Sequence, residues 1–467
     1  MKSSFILAII ILTFSGITTG QTQHNLSLQQ AIDLALKNAE ELKNLRLDEQ
    51  IQVYSNQESI SALYPQIAAS GQGSYYTSLP QIQFPNSNYP IYEVLQEEGV
   101  RNKNGDIISV DEATTTSQPI SFVAPLNFQF GFTINQLLFQ PDVFIALKAR
   151  EAVLQYARDN LKVSENNIKE AVEKAYYAVL IAEEQKRITE ETALRLDQLS
   201  GEMAKMYENG FSEKLDVDKL TVSRNNTETA INQLANAINI SKALLKNTIG
   251  IPIRDEITLN EQLEPQDLEA LLLTDNENFD YEVRAEIALL NTAQTLQQLE
   301  LKRYESAGLP TVAAFYQFQR AGQRNPSFAA PGASPWFWYS TGLVGISINQ
   351  PIFSGFQGKS RVSQAKLKLQ KVENNFTQVK RLIDMEQNVA RNSLQNALFN
   401  LEVQQRNSAL AAEVFENTRI KYESGLGSSL ELIQADSALQ QAQGGYFQAL
   451  YDCYIARIAF KKSLGRL

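Results

Sequence analysis

The sequence predicts a mainly α-helical chain with a transmembrane β component, built as two copies of one strand-to-helix unit. Three observations carry this. The stretch Leu126–Ala149 begins with Phe128, Phe130, Phe132 and Ile134 on one face and Gln129, Gly131, Thr133 and Asn135 on the other, a period of two. After Pro141 the period changes to 3.6 and stays helical for roughly 68 residues, proline being suited to a first helical turn. The same handover recurs at Leu343–Ala365, and Ile134-Asn135-Gln136 returns as Ile348-Asn349-Gln350 at an offset of 214.

The third observation is where charge is missing. Charged residues make up 20% of the chain, yet Ser59–Tyr92, Ala113–Pro141, Asn325–Gly358 and the shorter Ser306–Gln319 contain none. Each window holds one candidate strand, at about 65–77, 125–138, 310–319 and 340–352. An Arg or Lys facing lipid at mid-bilayer costs roughly 2–4 kcal/mol, so lipid-facing strands lose such residues. Strands of about 9–13 residues suit a tilted crossing, and Trp336-Phe337-Trp338-Tyr339 lies just ahead of the fourth, where an aromatic girdle belongs. A buried sheet in a soluble domain is the competing reading, but Gln129, Thr133, Asn135, Ser347 and Asn349 would be hard to satisfy in a dry core. Four strands cannot close a barrel, and lipid does not tolerate unpaired strand edges. The strands must be pooled between chains, and three copies under rotational symmetry give twelve.

In chain order, residues 1–20 read as a secretory signal: Lys2, the apolar run Phe5–Phe14, and Thr18-Thr19-Gly20 before the cleavage point. The first repeat spans 21–250. It opens with helices at 27–38, capped by Ser27, and about 40–63, the second stopped at Tyr64-Pro65. An insertion at 78–124 joins strands one and two; it holds Pro80, Pro85, Pro90 and Pro119, and a tight turn at Asn102-Lys103-Asn104-Gly105. Barrel loops of this length belong outside the cell. A helical hairpin follows at 142–249; its first arm, at 1.5 Å per residue, is about 100 Å long. Arms of that length need lateral support from other helices. Gly210 caps the first arm, and Gly250-Ile251-Pro252 ends the second. Residues 251–279 are an acidic joint between the repeats. The second repeat, 280–467, has a helix ending at Gly308-Leu309-Pro310, two strands and a hairpin at 356–464, with its turn at Tyr422–Ser428. Val372, Phe376, Val379 and Ile383 step by 4, 3 and 4, a coiled-coil seam.

Composition excludes several function classes. One histidine, His24, and one cysteine, Cys453, rule out His/Cys zinc clusters, Cys–His nucleophiles and an internal disulfide. A net charge of −10 speaks against nucleic acid. No nucleophile–base set or phosphate loop stands out, so neither an enzyme nor a cofactor is expected.

This layout resembles the TolC-like outer-membrane efflux protein family over essentially the whole mature chain. The paired Ile-Asn-Gln segments, the paired Tyr64-Pro65 and Leu309-Pro310 strand starts, and Lys462-Ser463-Leu464-Gly465 carry the resemblance, with two paired tips. Those tips are Tyr207…Gly210…Leu215-Asp216-Val217 and Tyr422…Gly425…Leu430-Glu431-Leu432. The resemblance implies a homotrimer in the outer membrane, a twelve-stranded barrel continuous with an α-helical barrel in the periplasm. It also implies a passive exit duct of a tripartite efflux system, with a periplasmic adaptor and an inner-membrane transporter as partners and outer-membrane lipid as surroundings. Type I protein secretion is the alternative within the fold, and a periplasmic coiled-coil scaffold the remote one.

The resemblance places the periplasmic entrance at Tyr422, Glu431 and Asp216, and the adaptor-docking tips at Gly210, Phe211, Gly425 and Leu426. Gln434 stands where a second acid ring would be, and Gly427 where a linking Arg can occur. Three Glu431 side chains around a narrow mouth would favour cations; an acid in a first helical turn also simply complements the dipole.

Overall fold

The computed structural model describes residues 23–84, 89–108, 118–263, 279–325 and 335–467. The signal segment, parts of the 78–124 insertion and much of the acidic joint lie outside the described residues. The chain divides into two compact units, each drawing on both repeats: Met1–Tyr54, Arg150–Gln298 and Lys366–Leu467 in one, Ser55–Ala149 and Leu299–Ala365 in the other.

The first unit is a packed set of helices. Ser27 caps the helix Leu28–Asn38 with a reciprocal box: its Oγ accepts from the Gln30 N–H, and the Gln30 Oε1 accepts from the Ser27 N–H. Strand β1, Gln23–Leu26, pairs parallel with β6, Glu256–Leu259. Around this pair Ala31, Ala35, Leu42, Val172, Tyr176, Leu245 and Ile249 form one core cluster. Tyr176 is fully buried and donates its hydroxyl to the Leu26 carbonyl at 3.0 Å. A second cluster centres on Leu394, Cys453, Tyr454 and Phe460, where Tyr177 stacks on Tyr454 at 4.2 Å. Cys453 is thus a small core residue, and burial pushes its thiol up to about 11. Arg284, after a 3-10 turn capped by Asp280, is only 5% exposed; it pairs with Glu286 and Glu386 and donates to the Ser463 carbonyl.

Two long hairpins supply most of this unit. The first joins Pro141–Glu208 to Lys214–Ile249, the second Gln357–Glu423 to Ser429–Ser463. Where they turn, Leu196, Leu199, Met203 and Leu220 of the first pack with Phe415, Leu432, Ala435 and Leu439 of the second. This is the lateral support that single helices of 68 and 67 residues require.

The second unit holds an antiparallel sheet ordered β2-β5-β7-β8: Gln66–Tyr75, Leu126–Phe139, Thr311–Arg324 and Phe337–Asn349. Its register sorts the side chains into two faces. Ile67, Phe128, Phe130, Phe132, Ile134, Phe318, Val344, Ile346 and Ile348 share the apolar one. The polar face carries a glutamine chain: Gln319 donates to Gln129 at 2.7 Å and Gln129 to Gln72 at 3.1 Å. β2 and β8 are the edges, unpaired on their outer sides within one chain. The 78–124 insertion has structure of its own: β3, Ile82–Phe84, pairs with β4, Gln118–Ile120, and a helix spans Tyr89–Glu97. The Asn102 Oδ1 closes the expected turn by accepting from the Asn104 and Asp106 N–H groups.

Two details differ from expectation. β7 runs on to Arg324, so this strand is not free of charge. The aromatic cluster does not precede the fourth strand but begins it, Phe337 to Tyr339 already pairing with β7. The cause is the added length of β7, whose Gly322 opposes Trp338. A Cβ at Gly322 would lie 2.8 Å from the indole ring, so only glycine lets the ring lie there.

Candidate functional site: the two hairpin tips

Both turns use one local device. At the first, Gly210 takes φ +76°, its N–H bonds to the Tyr207 carbonyl and the Phe211 N–H to the Met206 carbonyl. At the second, Gly425 takes φ +74°, with the same bonds from Gly425 to Tyr422 and from Leu426 to Lys421. These are glycine-ended caps that satisfy the last carbonyls of each long helix. The residue after the glycine in such a cap commonly folds back on the last helical turn. Here Phe211 and Leu426 instead stand 80% and 78% exposed. The tips therefore present one large apolar side chain each, at equivalent positions.

The next helices start differently. Ser428 caps the last helix by accepting from the Glu431 N–H, whereas Glu213 makes no side-chain cap to Lys214–Ile249. Just inside the turns the hairpins meet. The Ser429 hydroxyl donates to Asp216 Oδ1, and Lys219 Nζ lies 3.5 Å from the same oxygen. Tyr422 faces the first hairpin and donates its hydroxyl to Met203 Sδ at 2.8 Å, which also receives the Ser212 hydroxyl at 3.0 Å. Burial, and then the Asp216 and Glu202 charges, raise the Tyr422 phenol. So Asp216 and Tyr422, two of the three entrance residues expected from the sequence, are joined to the neighbouring hairpin within one chain.

Glu431, the third, is tied within its own hairpin. Lys421 Nζ lies 2.9 Å from Glu431 Oε2, both side chains about half exposed. This bond, with the Lys421 charge, holds the Glu431 carboxyl below its ordinary value of 4.5. The pair is neutral, so any field Glu431 exerts at a mouth is offset by its own lysine. A Cβ at Gly427 would sit 3.0 Å from the Tyr422 nitrogen, so the turn has little room for the side chain that a linking Arg would need.

Several members of this site were not singled out from the sequence. Lys421 is ten residues from Glu431, and Met203 lies in the other repeat from Tyr422; only the folded hairpins bring them together. Asp436 did leave a signal, an acid inside the apolar spacing Leu432, Ala435, Leu439. It is 2% exposed. Its Oδ2 accepts from Gln440 at 2.7 Å while Oδ1 has no partner. Burial raises its pKa, against the pull of Gln440, Arg195 and the nearby Ser223 hydroxyl. The Arg195 guanidinium lies 5.9 Å over the Phe415 ring.

Among the described residues no cluster of His, Cys, Asp or Glu is placed to hold a metal, and no helix is long and apolar enough to cross a membrane.

Residues 288–466 match the family model of the outer membrane efflux proteins (OEP). No curated protein matches the chain. Among solved structures, the CmeC outer membrane channel of Campylobacter jejuni superposes with a TM-score of 0.68 at 14% identity, covering 94% of this chain and 85% of that one. VceC, the outer membrane protein of Vibrio cholerae, gives 0.65 at 13% identity, covering 94% and 96%. The transmembrane channel CusC gives 0.66 at 17%, covering 94% and 91%. The fold over nearly the whole chain is that of the TolC-like channels, mainly helical with a β component; the family matched over the second repeat is one of transport ducts, not enzymes.

Proposed function

We propose that this chain, carrying the outer membrane efflux family's pattern over residues 288–466, is one subunit of a homotrimeric exit duct. The duct passes small molecules passively from periplasm to exterior while docked to a periplasmic adaptor and an inner-membrane pump. One observation carries the reading. The four-stranded sheet has one apolar face and two edges, β2 and β8, unpaired within the chain. A sheet with an apolar face and open edges is stable in lipid only when other strands close it. Three copies supply twelve strands, and joining β8 of one to β2 of the next leaves no edge.

The paired tips support docking. Phe211 and Leu426 are exposed apolar side chains on rigid glycine-capped turns, the kind of knob an adaptor groove would take. In this reading Gly210 and Gly425 set the shape of the tips, while Tyr422, Asp216 and Glu431 line and hold the entrance.

The test is direct. The purified protein is expected in the outer-membrane fraction, as a trimer in mild detergent, and conducting in planar bilayers. A monomer that partitions into buffer and conducts nothing overturns the reading. Charge placed at the knobs (Phe211→Asp with Leu426→Asp) is expected to abolish cross-linking to the cell's adaptor while conductance persists.

A further inference from the structure

The four strands of the sheet contain no Asp or Glu and only two charged side chains, Arg320 and Arg324. Both are on β7, and the register puts them on the apolar face, Arg320 opposite Phe130 and Arg324 opposite Leu126. Counting from Thr311, where β7 leaves the preceding helix, Arg320 is the tenth residue and Arg324 the fourteenth and last. A tilted strand crosses the hydrocarbon in about 9–11 residues. Arg320 therefore stands where the apolar band ends, and Arg324 about 13 Å further along, at 3.3 Å per residue.

The surroundings are built for a cation. The Arg320 guanidinium lies 5.7 Å over the Trp338 ring. Trp338 is stacked on Trp336 at 5.5 Å and meets Phe128 and Phe130 edge-on at 6.3 and 6.1 Å. Arg324 Nε is buried without a hydrogen-bond partner, and among the described residues no carboxylate pairs with either arginine. An unpaired guanidinium beside lipid is costly, and its fork matches a phosphate by two parallel bonds.

We propose that Arg320 and Arg324, with Trp338 as the platform, bind the phosphate of an anionic lipid headgroup in the leaflet at the loop end of the sheet. This rests on the outer-membrane reading above. The occupant is a lipid because the two cations border a continuous apolar face, which a free anion would not use and acyl chains would cover. The phosphate completes the charge that the strands leave open, and the tails pack against Phe128, Phe130 and Val344. The polar face of the sheet, with Gln129 and Gln319, plays no part.

The test uses the purified full-length protein in detergent, scored by native mass spectrometry for retained lipid. The probes are bisphosphorylated lipid A, the same glycolipid dephosphorylated, and inorganic phosphate alone. The wild type is expected to prefer the phosphorylated lipid by on the order of tenfold, the effect of one or two charge-assisted bonds. Arg320→Gln with Arg324→Gln should erase the preference, and the double Lys variant should keep part of it. Equal retention of the two glycolipids by the wild type overturns the proposal without any variant. So does an unchanged preference in the double Gln variant, or displacement of the lipid by inorganic phosphate at equal concentration. Failure of the wild type to reach the outer membrane or to conduct counts instead against the duct; intact conductance without a lipid preference counts against this site alone.

Discussion

Lys421 and Glu431 close the second turn on each other, Nζ to Oε2 at 2.9 Å, and so the acid expected to face the entrance is already paired. In the proposed duct this bears on selectivity within each subunit. The neutral pair presents a weaker field than a bare carboxylate, and the balance between its two partners sets the sign.

Removing either partner should therefore unbalance the pair, in opposite directions. Lys421→Gln is expected to raise cation preference, read as a shift of reversal potential in planar bilayers under a salt gradient. Glu431→Gln leaves Lys421 unpaired and should move the potential the other way. Because Lys421 holds the Glu431 carboxyl low, the pair is intact above the ordinary value of 4.5 and is lost as pH falls through the lowered one. Wild-type selectivity should hold steady from neutral pH down to that point. If Lys421→Gln leaves the reversal potential unmoved, the pair has no place in the permeation path.

Asp436 gives the opposite sign of pH dependence. Its pKa is raised by burial, so the folded protein holds this proton more tightly than the unfolded chain. Its contribution to stability falls as pH rises from the ordinary value of 3.8 through the raised one. Asp436→Asn should raise the apparent Tm at neutral pH and flatten its pH dependence over that window. An equal Tm gain at pH 3 and pH 7 would contradict the account.

The two tip glycines hold φ values that cost an L-residue roughly 1–2 kcal/mol. A Cβ there meets nothing within 4 Å, so the strain is purely backbone. Gly210→Ala and Gly425→Ala should each destabilise the local turn by about that amount, seen as faster amide exchange at residues 208–212 or 423–428. Asn, which tolerates the left-handed region better, should cost less at either site.

Arg284 is a buried charge of the helical unit with several partners. It is nearly inaccessible, and it satisfies two carboxylates and the Ser463 carbonyl near the chain's last helical turn. Arg284→Met strands Glu286 and Glu386 together. The expected loss is about 2 kcal/mol, below the range for a fully buried pair because both carboxylates stay about a third exposed, measured by denaturant unfolding. Tyr176→Phe, which leaves the Leu26 carbonyl its second donor, the Asn260 N–H, should cost about 1 kcal/mol. A smaller loss for Arg284→Met than for Tyr176→Phe would reverse this ranking.

Much of the architecture was legible in the chain. The switch from Phe128-Phe130-Phe132 to a 3.6 period after Pro141, repeated before Gln357, marks strand and helix because both periods are local consequences of backbone geometry. The turns at Gly210 and Gly425 were legible for the same reason: a left-handed cap asks for glycine wherever it occurs. The end of β7 was less so. The charge-free pattern stops at Gln319, but β-pairing with Phe337–Tyr339 on one side and Leu126–Phe130 on the other carries the strand on to Arg324. A partner strand decides where a strand ends, and the partner is set by register.

The amino-acid sequence alone determined the duplication, the alternation of strands and long helices, and the apolar band of the sheet. Each depends on residues close together in the chain and on which side chains a solvent tolerates. Tertiary structure alone decided that Glu431 is paired with Lys421, that Asp216 receives Ser429, that Tyr422 reaches Met203 and that Trp338 lies beneath Arg320. Those meetings depend on the relative register of hairpins and strands. Register is settled by packing across the fold as a whole, and no local pattern encodes it.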